Sequence, residues 1–213
     1  MRSLDHRLFT DINHLAAHSG WLHGFARAYV VYGGSILVAA LVLTAFWRGR
    51  SSVHAPVAVA GAAWAALSAL AAAAITDPIS HAVARARPYR TLSGVEVLIP
   101  RSHSHGFPDP WTAAAGAAVA ALALCDRPVA AVAGVAAVAG AFLRIYAGAD
   151  YPADVAAGLG LGVATALALS VPGRALLTWL AVKVERSPMH LVVAAPVPDP
   201  DRVAVPKAEV GSP

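Results

Sequence analysis

The stretch of sequence that decides the fold is residues 128–171, PVAAVAGVAAVAGAFLRIYAGADYPADVAAGLGLGVATALALSV. It consists of two apolar runs, Pro128–Leu143 and Pro152–Val171, joined by a short polar loop. A helix needs about 20 mostly apolar residues to cross the hydrocarbon core of a bilayer, and both runs come close to that length. The charged residues are Arg144 and Asp150 in the loop and Asp154 near the start of the second run. The stretch therefore predicts two membrane-spanning helices with a polar connection.

Three further apolar stretches precede this pair. Phe25–Trp47 is interrupted only by Arg27, and Ala55–Thr76 carries no charge. Trp111–Cys125 is equally apolar but short, so we expect this helix to begin recessed from the membrane surface. Together the five stretches predict an all-α, polytopic membrane helix bundle.

Composition supports a membrane protein and excludes several other classes. Of the 213 residues, 58% are hydrophobic and 13% charged, and the mean hydropathy is +0.61. Soluble chains carry roughly a quarter of charged residues, so a water-soluble globular enzyme and a disordered protein are both excluded. The net charge of +4 comes without a basic stripe and interleaved aromatics, which argues against nucleic acid and for a membrane lipid as partner. The lone Cys125 excludes an internal disulfide.

Two terminal segments flank the predicted membrane domain, which covers residues 25–186. Residues 1–24 lack the apolar core of a signal peptide and predict an amphipathic helix at the membrane interface. Pro172-Gly173 is expected to end the last span, and a short basic helix, Arg174–Arg186, to follow it. Residues 187–213 are rich in proline and predict a disordered tail. The prediction of an N-terminal amphipathic helix rests on apolar residues that recur at helical spacing, namely Leu4, Leu8, Ile12 and Leu15.

The distribution of basic residues predicts the orientation. Five spans place three basic connections on one side, and the positive-inside rule makes that side cytoplasmic. The opposite, extracytoplasmic side then receives residues 77–110 and 144–150, which also carry arginines, and we interpret those arginines as functional. The residues that define the cytoplasmic side are Arg48, Arg50, Arg127, Arg174, Lys183 and Arg186.

Three segments on the extracytoplasmic side form a candidate site. They are residues 81–88, which contain Arg87-Pro88, residues 106–112, and residues 143–154, which contain Arg144. Guanidinium groups match the geometry of phosphate oxygens, and the N-termini of helices add N–H donors and a positive dipole. Two arginines beside two helix starts therefore predict an anion site.

These motifs resemble the type-2 phosphatidic acid phosphatases, and most closely the bacitracin-resistance branch of undecaprenyl-diphosphatases. The resemblance covers residues 4–171 and implies the fold of that family and hydrolysis of polyprenyl diphosphate or a related lipid phosphate, without metal or other cofactor. It also implies that Arg87 and Arg144 bind phosphate and that Asp154 orients the nucleophile. The matching positions are Arg87-Pro88, Phe107-Pro108, Arg144, Tyr146, Gly148, Tyr151-Pro152 and Asp154.

Several departures from the family pattern affect catalysis. Asp150 stands at the position of the histidine nucleophile, Trp111 at that of the histidine acid, and Asp109 at that of a phosphate-binding serine. An indole N–H does not titrate usefully, and each lost role typically lowers the rate by about 10²–10⁴. We therefore expect phosphatase activity to be absent or much reduced. Two further departures are Ser80, at a lysine position, and Leu143, at a serine position.

Alternative roles remain open for these residues. Asp150 is a candidate nucleophile for a metal-assisted phosphatase, whereas a noncatalytic protein would use the site to bind a lipid headgroup or a membrane partner. Asp109 and Asp150 each precede a proline as an N-cap residue does, so both are also candidate helix caps. His103 and His105 are possible accessory residues, with His81 as a further source of imidazole, but no spacing in the sequence demands a metal.

Overall fold

The computed structural model describes residues 2–193, and all regular structure within that range is helical. A 3₁₀ turn at Gly20–Leu22 and a π turn at Tyr29–Gly33 interrupt the first part of the chain, and a 3₁₀ turn at His190–Val192 follows the last helix. The α-helices are α1 (Arg2–His18), α2 (His23–Ala28), α3 (Gly34–Arg50), α4 (Ala55–Val83), α5 (Pro88–Thr91), α6 (Pro110–Ala123), α7 (Arg127–Tyr146), α8 (Pro152–Ala168) and α9 (Ser170–Glu185).

Three helical segments are long and apolar enough to cross a membrane, namely Gly20–Arg50, Ala55–Thr91 and Arg127–Tyr146. A fourth candidate is formed by α8 and α9 together, which are bent by 57°. The apolar helix α6 is shorter than these. Within residues 2–193 the chain is thus all-helical, as predicted, with three to four candidate membrane spans.

The end of the last predicted span differs from the expectation. Pro172-Gly173 does not end a helix: the break falls at Leu169, and α9 continues through the proline. Pro172 is the third residue of α9, where a missing N–H is tolerated because the first turn has no intrahelical acceptor for it. The predicted basic helix Arg174–Arg186 is therefore the main part of a longer helix.

Helix α6 lies at the centre of the bundle and packs closely on α8 through glycines. A Cβ atom on Gly116 would lie 2.6 Å from the carbonyl oxygen of Leu159, and one on Gly162 would lie 2.7 Å from the backbone nitrogen of Ala117. A Cβ atom on Gly158 would lie 2.5 Å from the carbonyl oxygen of Asp109. Small residues permit this approach of two backbones, which fixes Asp109 against the first turns of α8.

We expect Gly162→Ala to lower the free energy of unfolding by about 1–3 kcal/mol, because the new Cβ forces α6 and α8 apart. Gly160 on the same helix has open space at its Cβ position, so Gly160→Ala is the matched control. Alanine has the higher helix propensity, and the control should therefore be unchanged or more stable by up to about 1 kcal/mol. Unfolding of both purified variants in detergent with added SDS measures the difference; equal effects would contradict the packing described for α6 and α8.

Helix α1 packs across the end of the bundle where α7 ends and α8 begins. Phe9 and Ala16 are buried, and the side chain of Asn13 donates to the carbonyl oxygens of Glu96 (2.9 Å) and Tyr146 (3.0 Å). The opposite stripe of α1 is exposed, with exposed fractions of 62%, 44% and 54% at Leu4, Leu8 and Leu15. In the predicted tail, residues 187–193 form turns, and residues 194–213 lie outside the described range.

Candidate functional site

The two arginines and three aspartates of the candidate site meet at one end of the bundle. Ala84, in a left-handed conformation (φ 50°), ends α4 and precedes the extended segment with Arg87. Asp109 is the N-cap of α6, and Arg144 lies in the last turn of α7. Gly148 (φ 74°) makes the turn that carries the chain from α7 to Asp150, and Asp154 lies in the first turn of α8.

Asp150 is the centre of this cluster and is fully buried. Its Oδ1 accepts a hydrogen bond from Nη1 of Arg87 at 2.5 Å. Its Oδ2 accepts from Nε of Arg144 at 2.9 Å and lies 2.7 Å from Nη2 of the same guanidinium. Arg87 also donates to the carbonyl oxygen of Ala149 and to Oγ of Ser104. Both arginines that the resemblance assigns to phosphate therefore hold an internal carboxylate.

Asp109 combines two contacts in the same cluster. Its Oδ2 accepts from the backbone N–H of Thr112 at 2.8 Å, which caps α6 as the sequence suggested. Its Oδ1 lies 2.7 Å from Nη2 of Arg144, a close ion pair without hydrogen-bond alignment. Asp109 therefore neutralises the guanidinium that also binds Asp150.

Asp150 is not a helix cap, contrary to the second capping prediction. The N-cap of α8 is Tyr151, whose backbone N–H donates to Oδ2 of Asp154 at 3.2 Å. The physical reason is that both oxygens of Asp150 are taken by the two guanidinium groups, which are stronger donors than a neutral N–H.

A second ion-pair group lies beside the first and was not identified from the sequence. Arg85 donates from Nη1 to Oδ1 of Asp154 at 2.6 Å and from Nη2 to Oδ2 of Asp5 on α1. Asp5 also accepts from the backbone N–H of Ala153 at 2.9 Å, and the guanidinium of Arg85 lies 4.4 Å from the ring centroid of Tyr151. Asp154 is thus paired with an arginine. Two features of the sequence could have pointed to this group. Asp5 is an acidic residue on the amphipathic N-terminal helix, and Arg85 is an additional arginine two residues before Arg87.

The cluster carries one more negative than positive charge when all its groups are ionised. Burial raises the pKa of Asp150 to about 6, although Arg144 lowers it, Asp109 raises it further and Arg87 lowers it. An ionised cluster of this sign repels a further anion. The ion-pair cluster consists of the aspartates Asp5, Asp109, Asp150 and Asp154 and the arginines Arg85, Arg87 and Arg144.

The remaining predicted site residues make other contacts. Trp111 donates from Nε1 to Oγ of Ser35 at 3.2 Å, and its ring packs against Gly34 of α3 and Gly140 of α7. Its indole thus fills space between helices.

The two accessory histidines are not bonded to the aspartates in the described structure. His103 is exposed, and the ring of His105 meets that of His81 edge-on with centroids 5.8 Å apart. Within residues 2–193 no group of three or more His, Cys, Asp or Glu side chains is placed to hold a metal ion.

Gly106 closes over the cluster. Its backbone N–H donates to the carbonyl oxygen of Arg85, and a Cβ atom here would lie 3.1 Å from Oδ2 of Asp154 and 3.4 Å from Cγ of Arg87. Nε of Arg87 is buried and has no hydrogen-bond partner among the residues that the structure describes. The site is therefore a tightly closed set of ion pairs, with its nucleophile candidate engaged by two cations.

Comparisons with protein-family models, with curated proteins and with solved structures gave no match to this chain.

Proposed function

We propose that the chain is a multi-pass protein of the cell membrane that crosses the bilayer five times. Helices α4, α6 and α7 each run between the two ends of the bundle. One end is the ion-pair cluster, where Arg85 follows α4, Asp109 begins α6 and Arg144 lies in the last turn of α7. The other end is marked by the turn at residues 124–126, which joins α6 to α7. With 14 residues α6 is about 21 Å long, shorter than the hydrocarbon core, but α4, α7 and α8 surround it. This arrangement supports α6 as a recessed fifth crossing.

The distribution of charge supports the orientation. The end of the bundle remote from the cluster carries Arg48, Arg50 and Arg127, which the positive-inside rule assigns to the cytoplasm. The cluster then faces the extracytoplasmic side. The exposed leucines of α1, which lies at the cluster end, suit a helix that rests in the interface of the outer leaflet.

With these crossings and this orientation, the chain has the site layout of the type-2 phosphatidic acid phosphatases but does not hydrolyse phosphate esters. The observation that carries the proposal is the pair of hydrogen bonds from Arg87 and Arg144 to the carboxylate of Asp150. This carboxylate engages the two guanidinium groups that the resemblance assigns to phosphate. Because both of its oxygens are held by cations, Asp150 is also a poor nucleophile.

The ligand that best fits this protein is a membrane lipid bound mainly by its hydrocarbon chain. A cavity of about 470 Å³ lies between α3, α4 and α6, within the size range of ligand sites. It runs along α3 and α4, which belong to candidate membrane spans, and Leu43 and Leu70 on its wall are exposed. Its remaining lining is apolar except for Ser35, which meets Trp111 at the end nearest the cluster. An open apolar cavity at this depth favours an acyl or polyprenyl chain.

Phosphate release from undecaprenyl diphosphate tests the proposal. The protein is purified in detergent and assayed with EDTA and, separately, with Mg²⁺ or Mn²⁺, beside an active family member that retains both histidines. We expect no release above the uncatalysed rate in either condition, while photoreactive polyprenyl phosphate labels α3, α4 or α6.

Two outcomes would overturn the noncatalytic proposal, and a third would remove the lipid assignment. Release that EDTA does not affect would mean that the histidine pathway has been replaced without metal. Release that requires Mn²⁺ and disappears in Asp150→Asn would identify Asp150 as a metal-assisted nucleophile. Absence of labelling in the apolar cavity would leave an inactive protein without a bound lipid chain.

A further inference from the structure

A second cavity lies at the end of the bundle remote from the ion-pair cluster. It has a volume of about 420 Å³ and is formed where the C-terminus of α3, the start of α4 and the turn between α6 and α7 meet. Its walls are fixed by close contacts: a Cβ atom on Gly49 would lie 3.1 Å from Cβ of Ala58, and one on Gly61 would lie 2.6 Å from Cβ of Cys125. The cavity is thus a preformed feature of three packed helix ends.

The cavity has a positively charged rim and an apolar floor. Among its lining residues, Arg48, Ser52 and Arg127 are exposed and form the rim, whereas Ala45 and Ala58 are less exposed and form the floor. Two guanidinium groups beside a hydroxyl offer the donors that a phosphate needs, and the floor accepts the apolar part of an amphiphile.

The one carboxylate that lines the cavity, that of Asp126, already has two hydrogen-bond partners in the protein. Asp126 caps α7 by accepting from the backbone N–H of Val129 at 3.2 Å, and its other oxygen accepts from Nε of Arg48 at 2.8 Å. This contact uses only one nitrogen of Arg48, so its two terminal nitrogens have no hydrogen-bond partner among residues 2–193. Arg127 forms no ion pair within the same range. The rim therefore keeps a net positive charge, with donors left to bind an anion.

The depth of the cavity identifies the source of the anion. Arg48 lies near the end of the candidate span Gly20–Arg50, and Arg127 begins the candidate span Arg127–Tyr146. Both arginines therefore lie at the level of the lipid headgroups, where Trp47, 61% exposed, adds an aromatic side chain typical of an interface. At this level the abundant anion is the phosphate of a lipid, and basic pockets between membrane helices bind such headgroups.

We propose that this cavity binds the headgroup phosphate of an anionic phospholipid, with Arg48 and Arg127 as its ligands. This assignment rests on the membrane crossing proposed above, but the site is separate from the Arg87–Asp150–Arg144 cluster, so neither site depends on the other.

Native mass spectrometry and thermal unfolding in detergent test this site with dioleoyl-phosphatidylglycerol, dioleoyl-phosphatidylcholine and inorganic phosphate as probes. We expect phosphatidylglycerol to bind and raise Tm, phosphatidylcholine to bind at least 10-fold more weakly, and inorganic phosphate to have no effect at equal concentration. Arg48→Gln/Arg127→Gln should weaken phosphatidylglycerol binding at least 10-fold. Arg127→Gln alone removes no ion pair of the described structure, so it should weaken binding several-fold without lowering the Tm of the lipid-free protein.

The matched control is Arg7→Gln/Arg101→Gln, which removes the same charge from two exposed positions and should bind phosphatidylglycerol like the parent. Equal loss in this control, or equal binding of the two lipids, would mean that net charge or detergent-like adsorption explains the result and would overturn the site. A Tm shift with inorganic phosphate alone would replace the lipid headgroup by a soluble anion.

Discussion

Replacement of Asp150 by asparagine is expected to lower the free energy of unfolding by about 3–5 kcal/mol. The carboxylate is fully buried and is the one anion that Arg87 contacts within residues 2–193, so its loss leaves a buried cation without a counter-ion. Removal of one member of a buried ion pair destabilises by this amount because the remaining charge stays desolvated. Unfolding of the purified variant by SDS in a mild detergent measures the change.

Asp109→Asn is the matched control for this experiment. Asp109 is equally buried and also contacts Arg144, but after its neutralisation every arginine of the cluster still has a carboxylate partner. Asparagine is as good an N-cap residue as aspartate, so we expect a loss of only about 1 kcal/mol. A loss as large as that of Asp150→Asn, or a loss below about 1 kcal/mol in Asp150→Asn itself, would contradict the central position of Asp150.

Inorganic phosphate is expected to restore the stability that Asp150→Ala removes. Deletion of the carboxylate frees Arg87 and Arg144 to bind a tetrahedral oxyanion between them. A ligand at 100 times its Kd stabilises the folded state by about 2.7 kcal/mol, so phosphate at a saturating concentration should raise the Tm of the variant by several degrees. Thermal unfolding with phosphate and with sodium chloride at equal ionic strength separates binding from screening.

The parent chain should not respond to phosphate at this site, since its own carboxylate already fills it. Asp150→Ala/Arg87→Leu should not respond either, because one of the two guanidinium groups is missing. Equal stabilisation of the parent and of Asp150→Ala would show that phosphate binds elsewhere, and absence of rescue would mean that the carboxylate does not stand in a phosphate site.

Two features of the site could be predicted from the sequence, a local helix cap and the convergence of two interhelical segments. Asp109-Pro110 has the pattern of a capped helix start, and Asp109 does cap α6. The proximity of Arg87 and Arg144 followed from apolar stretches of helical length, since successive antiparallel helices return the chain to the same end of the bundle. In the structure, both arginines form ion pairs with the carboxylate of Asp150.

The partners of individual side chains on distant segments could not be predicted in this way. The pair formed by Asp5 and Arg85 joins residues 80 positions apart, and no periodicity specifies which polar residue of an amphipathic helix faces the bundle. The direction of Trp111 depends on space left by Gly34 and Gly140 on two other helices. The continuation of α9 through Pro172 was missed because the sequence does not reveal that the helix starts at Ser170, which puts the proline in the first turn.

The contact between Asp5 and Ala153 has a consequence for biosynthesis, because the two residues are 148 positions apart. At about 5–20 residues per second, the ribosome needs roughly 7–30 s to make the second after the first. During this interval the N-terminal helix has no partner at the start of α8. Closure of the polar end of the bundle is therefore a late event in folding, which follows the synthesis of α8.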